Sequence, residues 1–196
     1  MNKSIAMTMM AVMFWAILVS CQGENKAETD SVKTSKGGTM TIAEMEVTSP
    51  AFKDGETIPT QYTCDSRDVS VPLAWTKAPE GTKSIALICD DPDAPRGTWV
   101  HWVAINLPPD LIGLAEGVKI AEDSSLAGAI ECGNDAGKIG YGGPCPPKGP
   151  AHRYFFKLYA LDTMLELTAK SEKADVEKAM AGHILAQGQL MGRYGR

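Results

Sequence analysis

The residues best equipped for chemistry fall in three short segments. Asp91-Pro92-Asp93-Ala94-Pro95 places two carboxylates on a proline-stiffened loop, and Trp99-Val100-His101-Trp102 follows almost at once. The third runs from Gly142 through Pro147 to His152-Arg153-Tyr154, so two of the chain's three histidines lie in these segments. A protonated imidazole offers an oxyanion a charge-assisted hydrogen bond, about twice as strong as a neutral one. A neighbouring carboxylate favours that protonated form and orients the ring. Tyr154 adds a neutral donor, and proline-rich walls reduce the ordering cost of binding. The chemistry this set suits is capture of an anion. Two histidines and an aspartate could also serve as a general base or a metal site. Against that use, no Ser or Cys sits in a nucleophile elbow, no HExxH spacing occurs and no CxxC pair exists. A binding protein is expected rather than an enzyme, with no metal and no cofactor.

These residues act together only if the fold converges them. Residues 41–47 alternate as an opening strand. Residues 84–89 form a continuous apolar run, as in a strand buried on both faces, and 100–107 and 152–161 read as further strands. Period 2 puts Trp99 with His101 and His152 with Tyr154, and turns Arg153 to the opposite face as a structural ion-pairing group. Gly- and Pro-rich stretches at 49–72 and 128–149 exclude helix there. The period then lengthens: 171–180 and 183–191 read as two terminal helices broken at Gly182, with His183 opening the second without a partner. The pattern predicts a mainly β sandwich or barrel with peripheral C-terminal helices. Trp75 and Trp102 are expected in its core, and Cys89 as a buried small hydrophobe. Cys64 and Cys145 both lie in polar, turn-rich segments and are the expected pair if any disulfide forms.

Composition bounds the partners. With 19 basic and 24 acidic residues the net charge is −5, which argues against nucleic acid, whose phosphates demand a cationic face. Lys3 followed by an apolar run from Ile5 to Leu18, too short to span a bilayer comfortably, resembles a signal-peptide core. It ends in Leu18-Val19-Ser20-Cys21, similar to a bacterial lipobox. Residues 1–20 are therefore expected to be removed and Cys21 lipidated, which places the protein in the cell envelope, anchored to a membrane. Residues 21–38 carry almost no apolar bulk and read as a tether. Residues 39–196 form the folded domain, large enough to bury about 70% of its unfolded surface.

Taken in order with Tyr62-Thr-Cys-Asp65, Pro72-Leu-Ala-Trp75 and the closing Gly182-His-Ile-Leu-Ala-Gln187 helix, the three segments resemble the phosphatidylethanolamine-binding protein family, in its bacterial Raf-kinase-inhibitor-like branch. The resemblance covers about residues 40–196. It implies a sandwich of two antiparallel sheets with a small cavity at one edge that takes phosphate, phosphoethanolamine, acetate or a phosphorylated side chain. Carried over by motif, Asp91, His101, Pro147, His152 and Tyr154 would line that cavity, with Asp93 steadying the loop and Trp99 beside it. It also implies a second use, inhibition of a hydrolase or kinase through the same rim. Residues 95–98 lack the tyrosine that eukaryotic members carry before the Trp-x-His step.

Overall fold

The computed structural model describes residues 42–196; the expected signal segment 1–20, the expected tether 21–38 and Cys21 lie outside the described residues. Among the described residues nine strands build two sheets: β1 (Ala43–Glu44), β2 (Val47–Thr48), β3 (Leu73–Trp75), β4 (Ser84–Asp91), β5 (Trp99–Leu107), β6 (Gly113–Leu114), β7 (Ile130–Glu131), β8 (His152–Leu161) and β9 (Ile184–Tyr194). The larger sheet runs β1-β9-β8-β4-β5-β7 and the smaller β2-β3-β6. Every pairing is antiparallel except β1 with β9 at one edge, which is parallel.

β4 sits at the centre because its side chains can be buried on both faces. All eight of its residues are buried. Ile85, Leu87 and Cys89 face the smaller sheet, in one core with Trp75, Trp102, Phe156 and Leu158. Ala86 and Ile88 face the other way, onto Leu165, Val176 and Met180. The last two belong to α1 (Lys173–Met180), which covers the back of the larger sheet. The Asp175 carboxylate accepts the Glu172 N–H at 3.0 Å to start this helix. Fully buried Asp90, facing the helix side, receives both Lys157 at 2.8 Å and Lys173 at 2.6 Å. One carboxylate thus ties β8 and α1 to the end of β4.

The structure corrects the sequence reading in three places. The 41–47 segment is not one strand: β1 joins the larger sheet and β2 the smaller, so the chain crosses between sheets at Met45-Glu46. The second terminal helix does not exist. Residues Ile184–Tyr194 form a strand paired along the full length of β8. Its inward positions are Ala186, Gly188, Leu190, Gly192 and Tyr194, and the two glycines hide the alternation. A Cβ on Gly188 would strike the Met45 carbonyl, and one on Gly192 the Ile58 side chain. Close backbone packing therefore removed the side chains that would have displayed period 2. His183 precedes this strand and is partnered, its Nδ1 bonding Asp162 Oδ1 at 2.7 Å.

Candidate functional site

The ends of β4, β5 and β8 meet at one edge of the larger sheet. β5 and β8 are not neighbours; β4 lies between them and contributes its last residue, Asp91. That carboxylate is buried and works in two directions. Its Oδ2 accepts His152 Nδ1 at 2.7 Å, and its Oδ1 accepts the Asp93 backbone N–H at 2.8 Å. Asp93 in turn receives Arg153 through Nε at 2.9 Å, Nη2 at 2.7 Å and the backbone N–H at 3.0 Å. The Arg153 guanidinium holds the Asp93 carboxyl down to about 2. Arg153 thus fastens the 92–98 loop onto β8 and is not a wall of the site.

His101 reaches the site by a β-bulge. Cys89 pairs with Trp102 and Asp90 with Val100, which leaves His101 as an extra residue in β5. Without the bulge it would share the side of Val103 and Ile105, which pack behind the sheet. With it, the imidazole meets Tyr154 edge-on, ring centroids 5.1 Å apart. A reciprocal clamp sets the ring: His101 Nδ1 donates to the Gly142 carbonyl at 2.7 Å, and the Gly142 N–H donates to the His101 carbonyl at 2.9 Å. Burial pushes the His101 pKa below its ordinary value, outweighing the Gly142 bond and the charges of Asp91 and Asp135. Asp91 bonds the other ring, that of His152, and its charge does not offset the burial that biases His101 towards its neutral form.

With both Nδ1 atoms engaged, no hydrogen bond among the described residues uses Nε2 of either histidine. The Tyr154 hydroxyl is buried and makes no hydrogen bond of good geometry among the described residues, although the Asp91 carboxylate is close to it. Burial, and then the charge of Asp91, raise its pKa far above the usual phenol range, so it stays a neutral donor. These groups line a cavity of about 470 Å³ with Val100, Pro146 and Pro147. Trp99 lines it too and is 39% exposed, so it marks the mouth rather than the core. All seven residues named from sequence are accounted for: Asp91, His101, Pro147, His152, Tyr154 and Trp99 in the lining, Asp93 behind it.

A match to the phosphatidylethanolamine-binding protein family model spans residues 48–195. The chain belongs to that family. It is 51% identical over 152 residues to a UPF0098 protein of Methanothermobacter thermautotrophicus, covering 78% of this chain and 99% of that one. A UPF0098 protein of Aquifex aeolicus is 50% identical over 155 residues, with 78% and 89% covered. Two crystal structures superpose on it. The phosphatidylethanolamine-binding protein homolog CT736 of Chlamydia trachomatis gives a TM-score of 0.71 at 40% identity, covering 78% of this chain and 98% of that one. E. coli YbcL, described as a member of the mammalian family, gives 0.73 at 35% identity, with 79% and 99% covered.

Within this family fold, part of the site escaped the sequence reading. The Gly142 carbonyl that orients His101 is backbone, and no residue type announces it. Arg96 and Lys138 line the cavity and add positive charge. Cys64 and Cys145 form the disulfide expected from their setting, and both line the cavity as well. Asp68 adopts a left-handed φ of 55° and accepts the Gly143 N–H at 2.7 Å. Gly143 must be glycine, since a Cβ there would run into the Tyr62 carbonyl. The Gly-Gly step at 142–143 was the available signal for this close backbone approach.

Proposed function

We propose that this family member is a binding protein for a small anion, phosphate- or carboxylate-bearing, held between His101, His152 and Tyr154, and that it does not turn its ligand over. The reading rests above all on one observation: the buried Tyr154 hydroxyl makes no hydrogen bond of good geometry among the described residues, with only the Asp91 carboxylate close by, and it lies in a cavity that His101 and His152 also line. Buried hydroxyls are nearly always satisfied, so a ligand oxygen is the expected partner. Protonation turns each Nε2 from acceptor to donor, which makes the site selective for oxyanions. Asp91 sets the orientation of His152 and, through Asp93, of the loop. Among the described residues no serine or threonine lines the cavity, and the Tyr154 phenol is held neutral by burial, which disfavours acyl or phosphoryl transfer through a hydroxyl nucleophile.

The apolar run before Cys21 supports a lipid-anchored protein of the cell envelope, so that the domain meets its ligand near a membrane surface. The test of the site is calorimetric titration of residues 39–196 with inorganic phosphate and phosphoethanolamine. His152→Ala should weaken binding by about 1.5–3 kcal/mol, the scale of one charged hydrogen bond, without unfolding the domain. Equal affinity in the variant and the parent would sink the proposal.

A further inference from the structure

One part of the cavity lining is covalently closed. Cys64, on the turn after Tyr62, is joined to Cys145 on the 142–147 loop across a sequence separation of 81. Both half-cystines are exposed residues at the protein surface. On one side Cys145 leads back through Pro144 and Gly143 to Gly142, whose carbonyl orients His101. On the other it leads to Pro146 and Pro147, which form wall. Three hydrogen bonds also join the two segments: Cys64 N–H to the Pro144 carbonyl at 3.2 Å, Gly143 N–H to Asp68 Oδ1 at 2.7 Å, and the Tyr141 hydroxyl to the Tyr62 carbonyl at 2.7 Å. All three end at or before Pro144. Of these links only the sulfur bridge is covalent and reaches the 145–147 stretch, where the Arg196 side chain adds a weaker connection between Cys145 Sγ and Asp65 on the facing turn.

A cation stands at one of the two sulfurs. Arg196 Nη1 lies 3.8 Å from Cys145 Sγ, and Arg196 Nε is held by Asp65 Oδ1 at 3.1 Å. Asp65 is fixed in turn by the Tyr194 hydroxyl at 2.7 Å. A guanidinium beside a sulfur stabilises the thiolate and so makes that sulfur the better leaving group in exchange. Cys64 Sγ has no such neighbour among its hydrogen bonds.

We infer that Cys64–Cys145 is a reducible bond that controls the anion site, opened by a dithiol reductant that attacks Cys64. The attacking thiolate bonds to Cys64 Sγ, the S–S bond breaks, and Cys145 departs with the electron pair as a thiolate beside Arg196. The second thiol of the reductant, losing its proton, then displaces Cys64 and closes the reductant's own disulfide. One disulfide has been reduced and one dithiol oxidised. The freed 145–147 stretch no longer fixes the wall, and the strain of Asp68 in the left-handed region loses one of its restraints. Anion affinity falls while the core stays packed, because its main body is strand residues such as Leu87, Trp102, Phe156 and Leu158, away from the 145–147 stretch. This inference rests on the anion-site reading proposed above.

The test uses the full chain, with inorganic phosphate as probe. Phosphate affinity is measured before treatment with dithiothreitol, after it, and again after reoxidation; alkylation and peptide mass spectrometry establish which cysteines opened. Because the bond also restricts the unfolded chain, near-ultraviolet circular dichroism is recorded on each sample well below its melting temperature. The expected result is about tenfold weaker binding by folded, reduced protein, restored on reoxidation. Arg196→Gln should slow reduction several-fold and leave phosphate affinity of the oxidised protein unchanged. Undiminished binding after reduction would overturn the inference and leave the anion site standing. So would loss of the near-ultraviolet spectrum, since the bond would then hold the fold rather than the wall. Binding by neither form would remove the anion site, and the inference with it.

Discussion

One ring should give two pH dependences of opposite sign. His101 is 6% exposed, and burial holds its pKa below the ordinary histidine value. In the neutral ring Nδ1 carries the proton that bonds the Gly142 carbonyl, so Nε2 presents a lone pair to the cavity. A fully ionised oxyanion is repelled by that lone pair and held by the protonated nitrogen. Binding such an anion therefore takes up one proton at His101. Between the depressed value of the free protein and the raised value of the complex, affinity should grow up to tenfold, or about 1.4 kcal/mol, per unit fall in pH. Sulfate is the probe of choice because it does not titrate over this range, and calorimetry at pH 7.5 and 6.5 gives the slope. Asp91, Asp135, His152 and Tyr154 also face or neighbour this ring, so His101→Gln is the control; it keeps an amide donor and removes the titration. The unliganded protein should behave oppositely. A base whose folded pKa is depressed leaves the unfolded chain binding more protons, so its stability contribution is complete above the unfolded value near 6.5 and is lost as pH falls below it. Equal sulfate affinity at both pH values, or an undiminished slope in His101→Gln, would refute the reasoning.

Three other outcomes are expected. Trp102 is fully buried and its indole N–H donates to Glu131 Oε1 at 2.8 Å; Trp102→Ala should cost about 3–5 kcal/mol in denaturant unfolding, and a stable variant with only binding lost would move this residue into the site. Asp93→Asn should cost about 1 kcal/mol near neutral pH, because the Arg153 pair is partly exposed and screened. That contribution is present above the unfolded carboxylate value and disappears as pH falls towards about 2, so parent and variant should converge in acid denaturation. Cys21→Ala should abolish signal processing and membrane partition, read by fractionation and N-terminal mass; unchanged behaviour would remove the lipid anchor.

How much of this was legible in the sequence follows from what a one-dimensional pattern can carry. β4 and β8 were readable because their burial is regular: one is apolar on both faces, the other alternates. β9 was not, since Gly188 and Gly192 stand where inward side chains would have marked the period, and the remaining Ile184, Leu185 and Met191 fall at helical spacing by chance. The residues named for the site were visible in three segments, and period 2 put Trp99 with His101 and His152 with Tyr154, as the lining has them. Their arrangement was not legible, because β4 lies between β5 and β8 and because a bulge turns His101 away from the side of Val103 and Ile105.

The end of β4 shows why the site sits where it does. Asp90 and Asp91 are consecutive, so they project to opposite faces of the sheet. Asp90 is fully buried and compensated by Lys157 and Lys173, which bind β8 and α1 to the strand. Asp91 turns to the cavity and spends its two oxygens on His152 and on the Asp93 loop. Neither carboxylate can take the other's part: an unpaired charge left in the helix-side core would cost several kcal/mol, and an unanchored His152 would lose its direction. The same two residues therefore fasten the scaffold on one face and aim the binding group on the other. Removing one partner of Asp90 by Lys173→Met should loosen α1 without changing phosphate affinity, whereas Asp91→Asn should do the reverse. A Lys173→Met protein that bound phosphate ten times more weakly would show that the two faces are coupled rather than merely adjacent.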